Sequence, residues 1–145
     1  MALATGAVSL AWPALAAGSL PRVDVYKSPT CGCCGAWVDH LKAAGFAVKV
    51  AEVDDTAHAR RRFGLPEKFA SCHTGVVEGY VLEGHVPTAD IKRLLASRPS
   101  AIGLAVPGMP IGSPGMEYPG SNDPYDVLLI DRKGRESVFS HYPKA

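Results

Sequence analysis

The chain has 145 residues, the size of one domain, and its 15 Lys and Arg against 14 Asp and Glu leave a net charge of +1. With no basic stripe, that balance argues against a nucleic-acid or other polyanion binder. A hydrophobic share of 47% excludes a disordered chain, and four cysteines at 31, 33, 34 and 72 are too few and too bunched for a disulfide scaffold.

Residues Met1 to Gly18 carry no charge. An apolar run from Ala7 through Trp12 is followed by Pro13 and the small-residue segment Ala14-Leu15-Ala16-Ala17. That pattern reads as a secretory signal cleaved after Ala16 or Ala17, although no Lys or Arg precedes the run. The alternative is a frayed N-terminal helix. The segment is too short and interrupted to span a bilayer. The expectation is an export segment over residues 1–19 and one domain over 20–145, working in the periplasm with no membrane span in the mature chain. Free thiols in such an oxidising compartment need a reason to stay free.

Val23 to Lys27 alternates and predicts a strand. A turn-rich loop, Ser28 to Gly35, leads into a helix from about Ala36 to Ala44 with Trp37, Val38 and Leu41 on one face, stopped by Gly45. Phe46 to Val53 reads as a second strand. Asp54, Asp55 and Thr56 offer caps for a helix to Phe63, whose Arg60-Arg61-Arg62 run reads as a solvated face. Thr74–Val77 and Tyr80–Glu83 predict two strands joined at Glu78-Gly79, and Pro87 to Ser97 a helix burying Ile91, Leu94 and Leu95. Pro99 to Pro124 holds six Pro and five Gly in 26 residues and reads as a loop. Tyr125–Ile130 and Glu136–Tyr142 complete a hairpin.

The order β-α-β-α-β-β-α over Val23 to Ser97 predicts an α/β, thioredoxin-like fold, with the Pro/Gly-rich loop as a lid and the last hairpin as a sheet extension. Cys31 to Cys34 is then C-x-x-C after the first strand, where such folds place a redox pair, and a helix N-terminus favours the thiolate. Two features depart from a plain disulfide oxidoreductase. Cys33 adds a third thiol, and Ser71-Cys72-His73-Thr74 stands where these folds bring a cis-proline, with His73 at its position. The fold therefore predicts four thiols and an imidazole at one point. Convergent sulfur suits Cu(I), zinc or iron–sulfur clusters.

Other readings stay beside this one. Cys72 alone could be a small buried hydrophobe, and His73 is either a ligand or a core histidine. His40 and His58 read as surface residues, His85 as a weak ligand candidate, and nothing singles out His141. Met109 and Met116, displayed by Pro-Gly turns, are either soft ligands or rim packing.

Ser28-Pro29-Thr30-Cys31-Gly32-Cys33-Cys34-Gly35-Ala36-Trp37, with Cys72-His73-Thr74, Gly84-His85-Val86-Pro87 and Gly103 to Pro110 downstream, resembles the domain-of-unknown-function 411 family of CopG-like proteins. The resemblance covers nearly all of Arg22 to Lys144. It implies an exported, thioredoxin-like, copper-associated protein of copper resistance, with Cys31, Cys33, Cys34 and Cys72 as ligands and His73, Met109 and Met116 joining them. The expected cargo is copper as Cu(I), held by bridging thiolates in a small cluster, with other periplasmic copper carriers or efflux proteins as partners. The competing functions are a thiol–disulfide oxidoreductase using Cys31 and Cys34, and a structural zinc site of Cys₃His type. If the chain is an enzyme, it is a copper or thiol oxidoreductase.

Overall fold

The computed structural model describes residues 18–144. The export segment expected over residues 1–19 lies, but for its last two residues, outside them. No helix among the described residues is long and apolar enough to cross a membrane.

The elements run β1 (Val23–Lys27), α1 (Gly32–Ala43), β2 (Val48–Glu52), α2 (Thr56–Arg62), a 3-10 turn (Glu67–Phe69), β3 (His73–Val77), β4 (Tyr80–Glu83), α3 (Thr88–Ser97), β5 (Ala101–Ala105), β6 (Tyr125–Asp131) and β7 (Glu136–Tyr142). All seven strands form one sheet in the order β2-β1-β3-β4-β5-β6-β7. β1 is parallel to β2 and β4 to β5, each pair joined by a crossover helix, and the other neighbours are antiparallel. β6 and β7 extend the sheet beyond β5. The mixed α/β core packs Val23, Val25, Trp37, Leu41, Leu82, Ile91, Leu94 and Leu104 together, each fully buried.

Three elements differ from the sequence expectation. Helix α1 starts at Gly32, inside the cysteine loop, because Gly32 and Gly35 do not take positive φ and so do not turn the chain. Its buried stripe is then Cys34, Trp37, Val38 and Leu41, spaced as one helix face requires. The stretch expected to be loop from Pro99 to Pro124 contains β5, buried over most of its length. A strand buried on both faces shows no alternation, and here punctuating Pro and Gly hide it further. Gly103 has a structural reason to be Gly, since a Cβ there would collide with the Val81 backbone across the β4–β5 pair.

The third correction concerns the arginine run. Arg61 and Arg62 are exposed, but Arg60 is buried. Its guanidinium reaches Glu83 at 3.1 Å and Glu67 at 2.8 Å. Leu95, expected in the core, is half-buried, and Asp90 takes a buried place on α3 instead.

Candidate metal centre

Three stretches of chain far apart in sequence meet at the N-terminus of α1. The first is the cysteine turn. Cys31 is the residue before the helix and gives no capping hydrogen bond, so the positive end of the helix dipole lies at the sulfurs. Cys31 and Cys34 are joined by a disulfide, whereas Cys33 and Cys72 are free. Cys33 Sγ lies 3.5 Å from Cys31 Sγ and 3.9 Å from Cys72 Sγ. Cys34, fully buried, has its sulfur 3.7 Å from the Cys72 carbonyl oxygen. The ligand atoms of all four cysteines lie within 4.8 Å of one another. As thiolates, this set requires the Cys31–Cys34 bond to be reduced.

The second stretch is the β3–β4 hairpin. Cys72 precedes β3, and its sulfur lies 3.2 Å from His73 Nδ1 and 3.1 Å from His85 Nε2. Cys72, His73 and His85 form a second group within 4.8 Å, sharing Cys72 with the first. His85 was a weak candidate by sequence, yet it stands at the site. The hairpin register puts it there, because β3 pairs Thr74 with Glu83 and the Gly84 N–H donates to the His73 carbonyl at 3.0 Å. Gly84 itself turns with φ +72° in a space where a Cβ would stand 2.5 Å from the Val106 oxygen.

The two imidazoles are held differently. His85 Nδ1 donates to the Pro114 carbonyl at 2.7 Å, which leaves the Nε2 lone pair directed to Cys72. An imidazole whose outer N–H is fixed by a carbonyl is the usual support of a metal-binding histidine. His73 is fully buried between the Trp37 ring, at 4.4 Å between centroids, and His85, at 4.9 Å. Its Nε2 is the one buried side-chain polar atom without a partner among the described residues. Leaving such an atom unpaired costs about 1–3 kcal/mol.

Burial sets the charge state of these groups. It pushes His73 down to about 3, with His85 adding to the effect, and it lowers His85 also. Both rings are therefore neutral near pH 7, the form that ligates metal. Burial, then the neighbouring Cys33, raises the Cys72 thiol to about 12. A cation arriving here displaces that proton.

Behind Cys72 lies a polar brace. Glu83, fully buried, accepts from Ser71 N at 2.8 Å, from the Thr74 hydroxyl at 2.6 Å and from Arg60 at 3.1 Å. It thereby holds the residues on both sides of Cys72-His73. Trp37 holds the helix to the same region, donating to the Val86 carbonyl at 2.9 Å.

The third stretch is the loop between β5 and β6. Gly108 donates to the Ala70 carbonyl at 3.3 Å, and the Ser71 hydroxyl donates to the Gly108 carbonyl. Gly115, at φ +92°, lies so near that a Cβ would stand 2.8 Å from the Cys33 oxygen and 3.1 Å from His85 Nδ1. The loop therefore rests on the cluster by its glycines. Met109, next to Gly108, is 51% exposed, and Met116, next to Gly115, is half-buried. His40 is not a free surface residue, because its Nε2 accepts from the first N–H of α3 at 3.1 Å. His58 is exposed, and exposed His141 pairs with Asp126.

The cysteines and histidines of this mixed α/β chain thus form two overlapping, closely spaced, sulfur-rich groups that could hold a metal ion. Residues 69–116 match the model of the family described as "Protein of unknown function, DUF411". Two solved structures named copper resistance protein CopG, Form 2 and Form 1, are similar at 45% and 46% identity, with TM-scores of 0.81 and 0.80. Each comparison covers 86% of this chain and 99% of the other. No curated protein matches the chain. The chain belongs to the DUF411 family of CopG-like proteins.

Proposed function

We propose that this protein handles copper, taking it up as Cu(I) on the thiolates of Cys31, Cys33, Cys34 and Cys72 with His73 and His85 beside them. The observation that carries the reading is the pair of ligand groups that share Cys72, whose sulfur lies 3.2 Å from His73 Nδ1 and 3.1 Å from His85 Nε2. The donor set fits a soft ion, and thiolates this close bridge more than one Cu(I). The copper resistance proteins of similar structure favour copper over zinc. A bound ion would supply soft Lewis-acid and one-electron chemistry. The chain's own contribution is to keep both imidazoles neutral, hold the four sulfurs together and cover them with the loop at Gly108 and Gly115. Met109 and Met116 add thioethers at its edge.

The same proposal extends to setting and frame. The order of elements, with the sheet order β2-β1-β3-β4, supports a thioredoxin-like domain over residues 20–145. The A-x-A pattern supports export to the periplasm and copper resistance there, with copper passing to or from other carriers or efflux proteins.

The test is anaerobic titration of the fully reduced chain with Cu(I) against a chromophoric chelator. More than one copper per chain should bind, with binding lost when Cys31, Cys33 and Cys34 are all Ser. No uptake, or preferential retention of one zinc, would reject the reading. A second reading, thiol–disulfide exchange, is favoured by the Cys31–Cys34 bond. Insulin reduction by the metal-free protein, abolished in Cys31→Ser, would establish it.

A further inference from the structure

Away from the cysteines, β6 and β7 build a second concave site. Tyr125 opens β6, Tyr142 closes β7, and the antiparallel register pairs them. Their rings stack with centroids 5.1 Å apart and planes at 10°. The stack is anchored from beneath. Tyr142 donates its hydroxyl proton to Asp90 at 2.7 Å, and Asp90, buried on α3, also accepts from Ser140 and Arg93. The two rings wall a cavity of about 150 Å³ whose other lining is Gly112, Asn122, Asp123 and Pro143.

The charge of its occupant follows from three observations. Asp123 is the carboxylate in the lining. Asp90 and Glu117 both act on the Tyr125 phenol, which burial first and these carboxylates second push up to about 12. The chain's own Lys144 already places its Nζ 4.8 Å from the centroid of the Tyr142 ring, the distance of a cation–π contact. Aromatic faces and negative charge together select a cation, and the size of the cavity limits it to one side chain.

We propose that this cavity receives a lysine or arginine side chain of a partner protein. The proposal stands apart from the copper reading. The two sites nevertheless share a loop, which carries Gly108 and Gly115 at the cysteines and Gly112 at the cavity. Its tip is fixed there, with Gly112 N donating to the Met116 carbonyl and Asp123 N to the Ile111 carbonyl, each at 2.8 Å. A partner seated on the tyrosines therefore touches the loop that rests on the cysteine cluster.

The experiment is NMR titration of the full chain with acetyl-Gly-Lys-Gly-amide, against the same peptide bearing norleucine, reading the ring protons of Tyr125 and Tyr142. The lysine peptide should give saturable shifts at both rings and the norleucine peptide none. Asp123→Asn should weaken binding roughly threefold, the size of one exposed charge contact. Asp123 is exposed, so the variant does not threaten folding. Equal shifts from both peptides, no shift at either ring, or an affinity unmoved by Asp123→Asn would overturn the proposal.

Discussion

Arg60→Met tests whether the buried brace behind Cys72 is an ion pair held together by its cation. Glu83 has no exposed surface and Arg60 only 5%. Removing the guanidinium leaves the carboxylate with two neutral donors, Ser71 N and the Thr74 hydroxyl. Breaking a buried pair from one side costs about 3–5 kcal/mol, and the two remaining donors place this case near the lower end, at about 3 kcal/mol. The loss should depend on pH. Burial already raises Glu83, Arg60 opposes that, and without Arg60 the carboxyl rises further. Its native state then binds a proton that the unfolded state has released. Stability therefore falls as pH climbs from the unfolded value through the folded one. Urea unfolding followed by far-ultraviolet circular dichroism should show a deficit smaller by on the order of 1 kcal/mol at pH 5 than at pH 7.5. Arg60→Met with Glu83→Leu should recover part of the loss, since neither charge is then stranded. A deficit under about 1 kcal/mol that is flat with pH, or a double variant worse than the sum of the singles, would refute the reasoning.

Other outcomes follow from the same geometry. His85→Leu should lower Cu(I) affinity at least tenfold in the chelator assay, since losing even the partner behind a metal-binding histidine costs about 10–100-fold, while Cys31 and Cys33 of the reduced chain stay reactive to alkylation. Gly84→Ala should cost about 2–4 kcal/mol in urea, because a positive φ and a Cβ 2.5 Å from the Val106 oxygen act together. His40 is lowered by burial against the opposing pull of Glu117, so protonation favours the unfolded chain and destroys the acceptor for Thr88 N. The metal-free chain should lose stability as pH falls below about 6.5, and His40→Gln should flatten part of that slope in thermal melts at pH 7.5, 6 and 5. Met109→Leu with Met116→Leu keeps volume and apolarity. Copper affinity should drop in that variant with melting temperature nearly unchanged, and unchanged affinity would assign both side chains to packing.

The sequence was most legible where one local rule decided the outcome. Val23–Lys27 and Tyr80–Glu83 emerge with the expected ends because alternation governs the first and the two-residue Glu78-Gly79 turn the second. It was least legible where burial on all sides removes periodicity, as in Ala101–Ala105, or where a pair far apart in sequence decides a side chain's fate. Arg60 looks like its exposed neighbours until Glu83, 23 residues on, supplies a partner. The cysteine turn and Cys72 could be placed together from the order of elements. His85 needed one further step that was available, namely counting back from the Glu78-Gly79 turn, which sets Gly84 across from His73. That Cys31 and Cys34 are the pair was already signalled by the C-x-x-C spacing after the first strand.

The hydrogen bond from His85 to Pro114 ties the orientation of one ring to the seating of one loop. A proline contributes only a carbonyl there, so the ring's Nδ1 must carry the proton and its other nitrogen must turn toward Cys72. If the loop lifts, the imidazole loses its tether and is free to rotate or exchange tautomer. Opening the cover and loosening the donor are thus one motion, so the route by which anything leaves the sulfurs is also what weakens the grip on it.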